Sequence, residues 1–198
     1  MVTACLDLEG VLIPEVWQNV ASQLGIAELN LTTRDIPDYH DLMKHRLRVL
    51  DEHSVTIDNI TETIRSMRPL PGAVEFLDEL RTRMVVILLS DTYQEFMPPI
   101  LSQLKWPTLL CNSLSLDESG RIRAYHLRQE NGKYHAVHGF QNMNLEVRAA
   151  GDSYNDLAMI QKADRGALFR PPEKITEEHP EIPVFTDYHD LFDFLVSA

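Results

Sequence analysis

The chain has 198 residues, 44% of them hydrophobic and 24% charged, an ordinary composition for a soluble globular protein with a full core. Its formal net charge of −12 argues against nucleic acid or an anionic membrane as the main partner, because contacts with polyanions would be repulsive. The longest apolar run, residues 84–89, is far shorter than the ~20 residues that cross a bilayer. The first residues carry no secretion signal, and Cys5 and Cys111 lie inside apolar runs. We therefore predict a cytoplasmic protein with buried, reduced thiols.

Apolar strand-like runs alternate with helical patterns along most of the chain. This alternation predicts an α/β fold with a doubly wound, mostly parallel sheet. The predicted strands are residues 2–8, 84–89, 108–112, 147–150, 166–169 and 182–185. Core helices are predicted to begin near Gly72, Pro98, Lys133, Ser153, Pro172 and Asp187. Two alternating runs around a polar turn predict a hairpin over residues 114–125.

The segment after the first strand breaks this rhythm. Between residues 14 and 69 there is no convincing buried strand, and the apolar residues of 16–24 and 42–50 recur at helical spacing. We therefore predict a catalytic core made of residues 1–14 and 70–198, with a helical cap formed by residues 15–69. Trp17, within this cap, is assigned to packing.

Two acids, Asp7 and Glu9, stand where the first strand runs out. They are two residues apart and can point to one side of the sheet edge, which is where open α/β sheets bind ligands. An aspartate in this place can attack phosphorus and form an aspartyl-phosphate, while the second acid donates or accepts a proton. Taken alone, the pair could equally be two solvated acids at the end of the sheet.

A second apolar strand runs into a glycine, Gly151, followed by Asp152, Asn155 and Asp156. Asp152 could be an ordinary helix N-cap. However, four carboxylates gathered in one pocket would repel each other, each pair by roughly 4 kcal/mol at 4 Å. A divalent cation that prefers oxygen ligands removes this repulsion, so the sequence predicts a Mg²⁺ site.

Phosphate ligands are predicted at two further places. Ser90 ends the 84–89 strand and is followed by Asp91, so a hydroxyl and free backbone N–H groups at this turn can hold phosphate oxygens. Lys133 begins a helical stretch and can neutralise a phosphoryl group. The plainer interpretations are a helix-capping serine and a solvated surface lysine.

The order of these elements along the chain is Asp-x-acid, serine after a strand, lysine, and Gly-Asp-x-x-x-Asp. In this order the chain resembles the haloacid dehalogenase (HAD) superfamily of aspartyl-phosphate enzymes, which have a Rossmann-like core. The resemblance implies that Asp7 is the nucleophile and Glu9 the general acid and base. It implies that Ser90 and Lys133 bind the phosphate.

The same resemblance implies the cofactor and its ligands. Mg²⁺ would be carried by Asp152 together with Asp7 and the backbone carbonyl at Glu9. Asp156 would support the metal site from close by. These roles come from the superfamily pattern and go beyond what the spacing of the acids shows.

Within the superfamily the chain is most similar to the phosphoserine phosphatase branch, in particular to bacterial bifunctional phosphoserine phosphatases that are also homoserine phosphotransferases (homoserine kinases). Four shared strings carry this similarity, at residues 7–11, 32–39, 46–53 and 151–156. The similarity implies that Glu15 binds the substrate amine, Arg46 binds its carboxylate, and Asn155 helps to hold the phosphorylated substrate. Arg48 competes with Arg46 for the carboxylate.

The chemistry of a phospho-amino acid agrees with this assignment. Its ammonium and carboxylate would meet Glu15 and Arg46, and its phosphate would meet the metal site. Arg46 could instead be a helix arginine paired with Asp41 or Asp51, and Glu15 an acid in the first turn of a helix. The alternative functions are hydrolysis of another small phosphomonoester, such as phosphocholine, and non-catalytic binding of phosphometabolites.

Two positions depart from ordinary phosphoserine phosphatases, which carry Asp where Glu9 stands and Gly-Gly where this chain has Asp91 and Thr92. The extra methylene of Glu9 displaces its carboxyl group, and a misplacement of about 1 Å can cost about a hundredfold in rate. We therefore predict that Glu9 activates water poorly and tolerates a larger acceptor hydroxyl, so that phosphoserine passes its phosphoryl group to homoserine. The resemblance also implies a place in serine and threonine biosynthesis.

Overall fold

The computed structural model describes residues 1–33 and 35–197, and these build a seven-stranded sheet in the order β4-β3-β2-β1-β5-β6-β7. Five of the six neighbouring pairs are parallel, and β3 and β4 form an antiparallel hairpin. The strands are β1 (Val2–Leu6), β2 (Val85–Tyr93), β3 (Thr108–Leu116), β4 (Ile122–His126), β5 (Glu146–Gly151), β6 (Arg165–Phe169) and β7 (Val184–Phe185). The predicted hairpin is confirmed.

The helices of the described residues connect these strands. They are α1 (Val16–Leu24), α2 (Tyr39–Glu52), α3 (Ile57–Ser66), α4 (Ala73–Arg81), α5 (Pro98–Gln103), α6 (Gly132–Asn142), α7 (Leu157–Lys162), α8 (Glu173–Glu178) and α9 (Tyr188–Val196). Short 3-10 turns lie at Ala27–Asn30 and Tyr154–Asp156. None of these helices is long and apolar enough to span a membrane.

Both faces of the sheet are covered, because alternate residues of a strand point to opposite sides. On one face Ala4 and Leu6 of β1 belong to a core that includes residues of α4 and α9. On the other face Cys5 belongs to a second core with residues of α6, α7 and α8. The prediction of a doubly wound, mostly parallel α/β sheet is thus confirmed.

The helices α1, α2 and α3 follow one another between β1 and α4, and they touch the core at the β3-β4 hairpin. Asp51 at the end of α2 accepts hydrogen bonds from Arg121 and Arg123 of the hairpin at 3.1 and 2.9 Å. The backbone N–H of Ile57 donates to the carbonyl of Gly120 at 2.8 Å. The exact cap boundaries at residues 15 and 69 stay a prediction.

The first two strands end at places that the sequence prediction missed. β1 stops at Leu6, two residues early, because the carbonyl of Leu8 accepts the N–H groups of Leu12 and Ile13 and the chain turns there. β2 continues to Tyr93, since after a register shift Tyr93 pairs with Asn112 of β3. Ser90 and Asp91 therefore lie inside the irregular part of β2, and the predicted turn after residue 89 is wrong.

Other boundaries differ by less. β3 runs to Leu116 because its second half pairs with β4, beyond the predicted end at residue 112. β7 is confined to Val184–Phe185, since Pro183 has no N–H to donate to a ladder. The helix predicted from Ser153 begins as a 3-10 turn and becomes α-helical at Leu157. The helix restart at Pro98 is confirmed.

Candidate active site

The carboxyl ends of β1 and β5 place two aspartates side by side. These strands are parallel neighbours, with Leu6 opposite Ala150, and the N–H of Asp7 donates to the carbonyl of Ala150 at 2.9 Å. Asp152 directly follows the last residue of β5, as Asp7 directly follows the last residue of β1. Carboxylate oxygens of Asp7, Asp152 and Asp156 all lie within 4.8 Å of one another. Three of the four predicted acids thus lie together, while Glu9 is not part of this group of oxygens.

Lys133 enters the cluster from α6 and is buried, with 6% of its surface exposed. Its Nζ donates to Asp7 Oδ1 at 2.8 Å and to Asp156 Oδ1 at 2.6 Å. Burial alone would lower the pKa of Lys133, but the charges of Asp156 and Asp7 outweigh it and hold the pKa well above its usual value. The lysine is therefore a permanent cation at the nucleophile, and the alternative of a solvated surface lysine is wrong.

Asp156 is fully buried and its two oxygens already have hydrogen-bond partners. Lys133 binds Oδ1, while the N–H groups of Asp152 and Ser153 each donate to Oδ2 at 3.0 Å, and the Ser153 hydroxyl donates to the same atom at 2.9 Å. Ser153 caps the short turn, so Asp152 is free of the N-cap role. Asp156 thus holds the turn that presents Asp152, consistent with a supporting position beside a metal.

The Asp152 carboxylate receives no hydrogen bond from another residue of the described chain. Gly10 lies directly against it, with φ of +76°, and a Cβ at this position would collide with the carboxylate. The glycine is therefore required for its backbone conformation and for the close approach. Burial raises the pKa of Asp152 to about 7, and the charges of Asp156 and Glu15 add to the effect.

Glu9 lies at the mouth of this cluster, half-buried, and its Oε2 accepts the N–H of Val16 at 2.9 Å. Val16 is the first residue of α1, so the acid is bound to the beginning of the first helix in the predicted cap. Burial raises the pKa of Glu9 to about 7, and the charge of Glu15 adds to it. A carboxyl group with a pKa near neutrality can serve both as a proton donor and as a proton acceptor.

The predicted phosphate ligands on β2 reach the same edge. Ser90 is buried, but its Oγ accepts the N–H of Thr92 at 3.2 Å, so one of the supposedly free backbone N–H groups is already bonded. The Asp91 carboxylate accepts a hydrogen bond from Asn155 Nδ2 at 3.0 Å. Asp91 and Asn155 are thereby brought together beside the acidic cluster. The interpretation of Ser90 as a helix cap is wrong, because it lies in a strand.

Arg46 and Arg48 lie in different surroundings on α2. Arg46 is 7% exposed, and no carboxylate of the described chain lies within ion-pair distance of its guanidinium. Asp41 binds Lys44, and Asp51 binds the hairpin, so neither expected acid pairs with Arg46. Arg48 is exposed and binds Glu52 at 2.7 Å. Arg46 is thus buried without an ion-pair partner among the described residues, and a cation in that situation is costly unless an anion is bound.

Glu15 precedes α1 as its N-cap residue and makes no capping hydrogen bond through its side chain. Its exposed carboxylate acts electrostatically on Glu9, Asp152 and Arg46. Glu15 and Arg46 therefore supply an anionic and a cationic group on the cap side of the acidic cluster. One anionic and one cationic group can in general bind an ammonium and a carboxylate.

Two tyrosines and an asparagine at the site escaped the sequence analysis. The hydroxyl groups of Tyr39 and Tyr93 lie 2.8 Å apart and link α2 to β2, although the residues are 54 positions apart. The carbonyl of Asp91 accepts Tyr39 Oη at 3.3 Å and Asn112 Nδ2 at 3.1 Å. Tyr39 does belong to the shared string at 32–39, which was the one available signal. Tyr93 looked like an ordinary apolar strand residue.

Two curated relatives are similar to the protein over nearly its whole length. Phosphoserine phosphatase ThrH of Pseudomonas aeruginosa is 51% identical over 191 residues, which cover 96% of this chain and 93% of that protein. A phosphoserine phosphatase of Pseudomonas syringae pv. tomato is 49% identical over 195 residues, covering 98% and 82%. The chain belongs to the phosphoserine phosphatase family.

Among solved structures, a phospho-aspartyl intermediate analogue of phosphoserine phosphatase has a TM-score of 0.79 at 19% identity, with 98% of both chains covered. No protein-family model matches.

The donor set of this phosphoserine phosphatase family member fits a hard divalent cation. Asp152 has no competing donor from the described chain, and only Oδ1 of Asp7 is bound by Lys133. Three carboxylates and one ammonium group leave excess negative charge in the cluster. The pKa of Asp7 is raised well above its usual value, first by burial and second by the charge of Asp156. Oxygen ligands of this kind suit Mg²⁺, which would relieve the repulsion.

The raised pKa values predict how pH affects stability without metal. A carboxyl group whose pKa is raised by folding stabilises the protein fully below its ordinary pKa near 4, and this contribution is lost as pH rises towards 7. For Glu9 and Asp152 together we expect the free energy of unfolding to fall by about 2 kcal/mol or more between pH ~5 and ~7.5 in EDTA. Thermal unfolding across this range measures it.

Addition of Mg²⁺ supplies the control for this prediction, because a cation bound to ionised carboxylates is linked to folding. We expect Mg²⁺ to raise the melting temperature at pH 7.5 and to have little effect at pH 5. An equal shift at both pH values, or no shift at either, would contradict the assignment of these carboxylates to a metal site.

Proposed function

We propose that the protein is a Mg²⁺-dependent phosphoserine phosphatase that works through an aspartyl-phosphate and also transfers the phosphoryl group to homoserine. The observation that carries the proposal is the contact of Asp7 with the buried Lys133, beside an Asp152 carboxylate that accepts no hydrogen bond from another described residue. The membership in the phosphoserine phosphatase family supports the choice of substrate.

In the first half-reaction a carboxylate oxygen of Asp7 attacks phosphorus, and the bond between phosphorus and the serine oxygen breaks. Lys133 draws charge from the phosphoryl oxygens, while Ser90 offers its hydroxyl to the same group. Glu9, protonated near neutrality, gives its proton to the departing serine oxygen. The products are an acyl-phosphate on Asp7, free serine and an ionised Glu9.

In the second half-reaction Glu9 takes a proton from the hydroxyl of the acceptor, whose oxygen attacks the phosphorus of the acyl-phosphate. Water yields inorganic phosphate, and homoserine yields phosphohomoserine. Both routes regenerate the Asp7 carboxylate and a protonated Glu9, so the cycle closes. The tie of Glu9 to the N–H of Val16 supports the idea that its longer side chain is held towards the cap and serves a bulky acceptor better than water.

Mg²⁺ would be held by Asp7, Asp152 and the backbone carbonyl of Glu9, with Asp156 fixing the turn that carries Asp152. When bound, it supplies positive charge against the phosphoryl oxygens and keeps Asp7 ionised. Gly10 permits this arrangement, because any side chain at residue 10 would occupy the place of the Asp152 carboxylate.

The other end of the substrate would lie under the cap. Arg46 would bind the carboxylate of the substrate, and Glu15 would bind its ammonium group. Phosphoserine and homoserine both possess these two groups. Asp91 and Asn155, joined by a hydrogen bond of 3.0 Å, would line the space between this end and the phosphate. The burial of Arg46 without an acidic partner favours a substrate with a carboxylate over phosphocholine, which has none.

The experiment that tests the proposal is incubation with phosphoserine and Mg²⁺, with and without homoserine, followed by quantification of phosphate and phosphohomoserine. We expect phosphohomoserine to form at the expense of phosphate, and both to vanish in EDTA. Undiminished phosphate release without phosphohomoserine would refute transfer and leave the phosphatase standing. The free thiols of Cys5 and Cys111 fit a reducing compartment, for which we propose the cytoplasm.

A further inference from the structure

The guanidinium of Arg46 lies over an aromatic ring. Its Cζ is 4.6 Å from the centroid of the Trp17 indole, within the range of a cation–π contact. Trp17 is on α1 and Arg46 on α2, so the contact joins two cap helices. Trp17 was predicted to serve packing, and its contact with Arg46 is a further interaction that this prediction did not include.

The remaining hydrogen-bond contacts of the guanidinium include no carboxylate of the described residues. Nη2 donates to the carbonyl of Leu31 at 2.9 Å, and Nη1 makes only a long contact of 3.8 Å with the sulfur of Met43. Nε is buried and has no hydrogen-bond partner. Arg46 is thus held by a ring face and a carbonyl, and although Glu9 and Glu15 act on it electrostatically, no acid of the described chain forms an ion pair with it.

The Trp17 ring is itself fixed in place. Its edge meets Phe96 at a centroid distance of 6.4 Å and an interplanar angle of 87°. The preceding residue, Val16, is bound through its N–H to the Glu9 carboxylate at 2.9 Å. The indole therefore packs against the buried Phe96, and the helix that carries it is hydrogen-bonded at its first residue to the Glu9 carboxylate.

We propose that Trp17 is a positioning residue that holds Arg46 for the carboxylate of the substrate and so sets the preference for phospho-amino acids. An acidic neighbour could also orient the guanidinium, but it would neutralise the charge and compete with the substrate. A ring face orients the cation without such competition, because it attracts the charge and offers no carboxylate. This inference rests on the proposed function, since it needs a substrate with a carboxylate.

The test compares kcat/KM for phosphoserine with kcat/KM for phosphoethanolamine, which has the same phosphate and amine but no carboxylate. In Trp17→Leu the ratio of the two should fall about tenfold, the size expected for loss of a desolvated cation–π contact, and the change should appear in KM for phosphoserine. Trp17→Phe keeps a ring face and should restore most of the ratio. The matched control is Phe194→Leu on α9, which removes a ring whose centroid lies 5.4 Å from the Cζ atom of Arg165 on β6.

A second measurement serves if Trp17→Leu does not fold. Trp106 is 64% exposed and is the other tryptophan of the chain, so Trp106→Phe leaves Trp17 as the sole tryptophan, which excitation at 295 nm selects over the tyrosines. We expect serine to change its fluorescence saturably and ethanolamine to leave it unchanged. Equal responses to both ligands would contradict the inference.

The kinetic outcomes separate the two claims. If the wild-type protein favours phosphoserine but Trp17→Leu keeps the same ratio, or loses activity equally on both substrates, the role of Trp17 is refuted and the proposed function stands. If the wild-type protein shows no preference for phosphoserine, carboxylate recognition fails, and the inference falls with the proposed function.

Discussion

Replacement of Asp7 by asparagine is expected to lower kcat for phosphoserine by at least about 10⁴-fold, because an amide oxygen is too weak a nucleophile to form the acyl-phosphate. The loss should lie in kcat, since Lys133 and Arg46 still offer their charges to the substrate. Steady-state assays of phosphate release in Mg²⁺ measure the effect. Retention of more than about one per cent of the activity would contradict the assignment of the nucleophile.

Unfolding does not explain this expected loss. Burial raises the pKa of Asp7, so a neutral residue is better tolerated there in the metal-free fold, and Lys133 keeps its contact with Asp156. The melting temperature of Asp7→Asn in EDTA should therefore equal or exceed that of the wild type. Asp193→Asn, which changes an exposed carboxylate on α9, is the matched control for activity.

Replacement of Arg46 by leucine is expected to lower kcat/KM for phosphoserine by about a hundredfold or more, the cost of removing one partner of a buried charge pair. The loss should be much smaller for phosphoethanolamine, because this substrate has no carboxylate for Arg46 to bind. Initial-rate measurements on both substrates give the two numbers. The two values of kcat/KM show directly whether the buried guanidinium binds the carboxylate of the substrate.

Arg48→Leu is the matched control, since both arginines lie on α2 and differ in burial and partner. Arg48 pairs with Glu52 at the surface, where an ion pair contributes only about 0–1 kcal/mol, so activity should stay within about twofold of the wild type. Removal of an unpaired buried charge at residue 46 should also raise the melting temperature. A larger loss of activity in Arg48→Leu than in Arg46→Leu would reverse the assignment.

The fold and the acidic cluster could be predicted because they depend on local signals. Strand-like runs that end on Asp7 and Asp152 are visible in the sequence, and parallel strands bring their carboxyl ends to one edge. The glycine at residue 10 was part of a shared string, but its collision with the Asp152 carboxylate needs coordinates that join residues 142 positions apart. Sequence spacing alone contains no such distance.

The cap side of the site was less predictable for a related reason. Burial of Arg46, its contact with Trp17 and the link between Tyr39 and Tyr93 all depend on how α1 and α2 pack against each other and on β2. The extension of β2 through Ser90 arises from pairing with β3 after a register shift, which overrides the apolar run that suggested an end at residue 89. Long-range packing of this kind leaves no pattern in neighbouring residues.

The covalent state of Asp7 during turnover is the quantity that tests the account most directly. Rapid acid quenching of the wild-type protein with phosphoserine and Mg²⁺, followed by intact mass measurement and peptide mapping, should show one phosphoryl group on Asp7. Hydroxylamine should release it, as expected for an acyl-phosphate. Absence of this species while phosphate is produced, or its appearance in Asp7→Asn, would contradict the account.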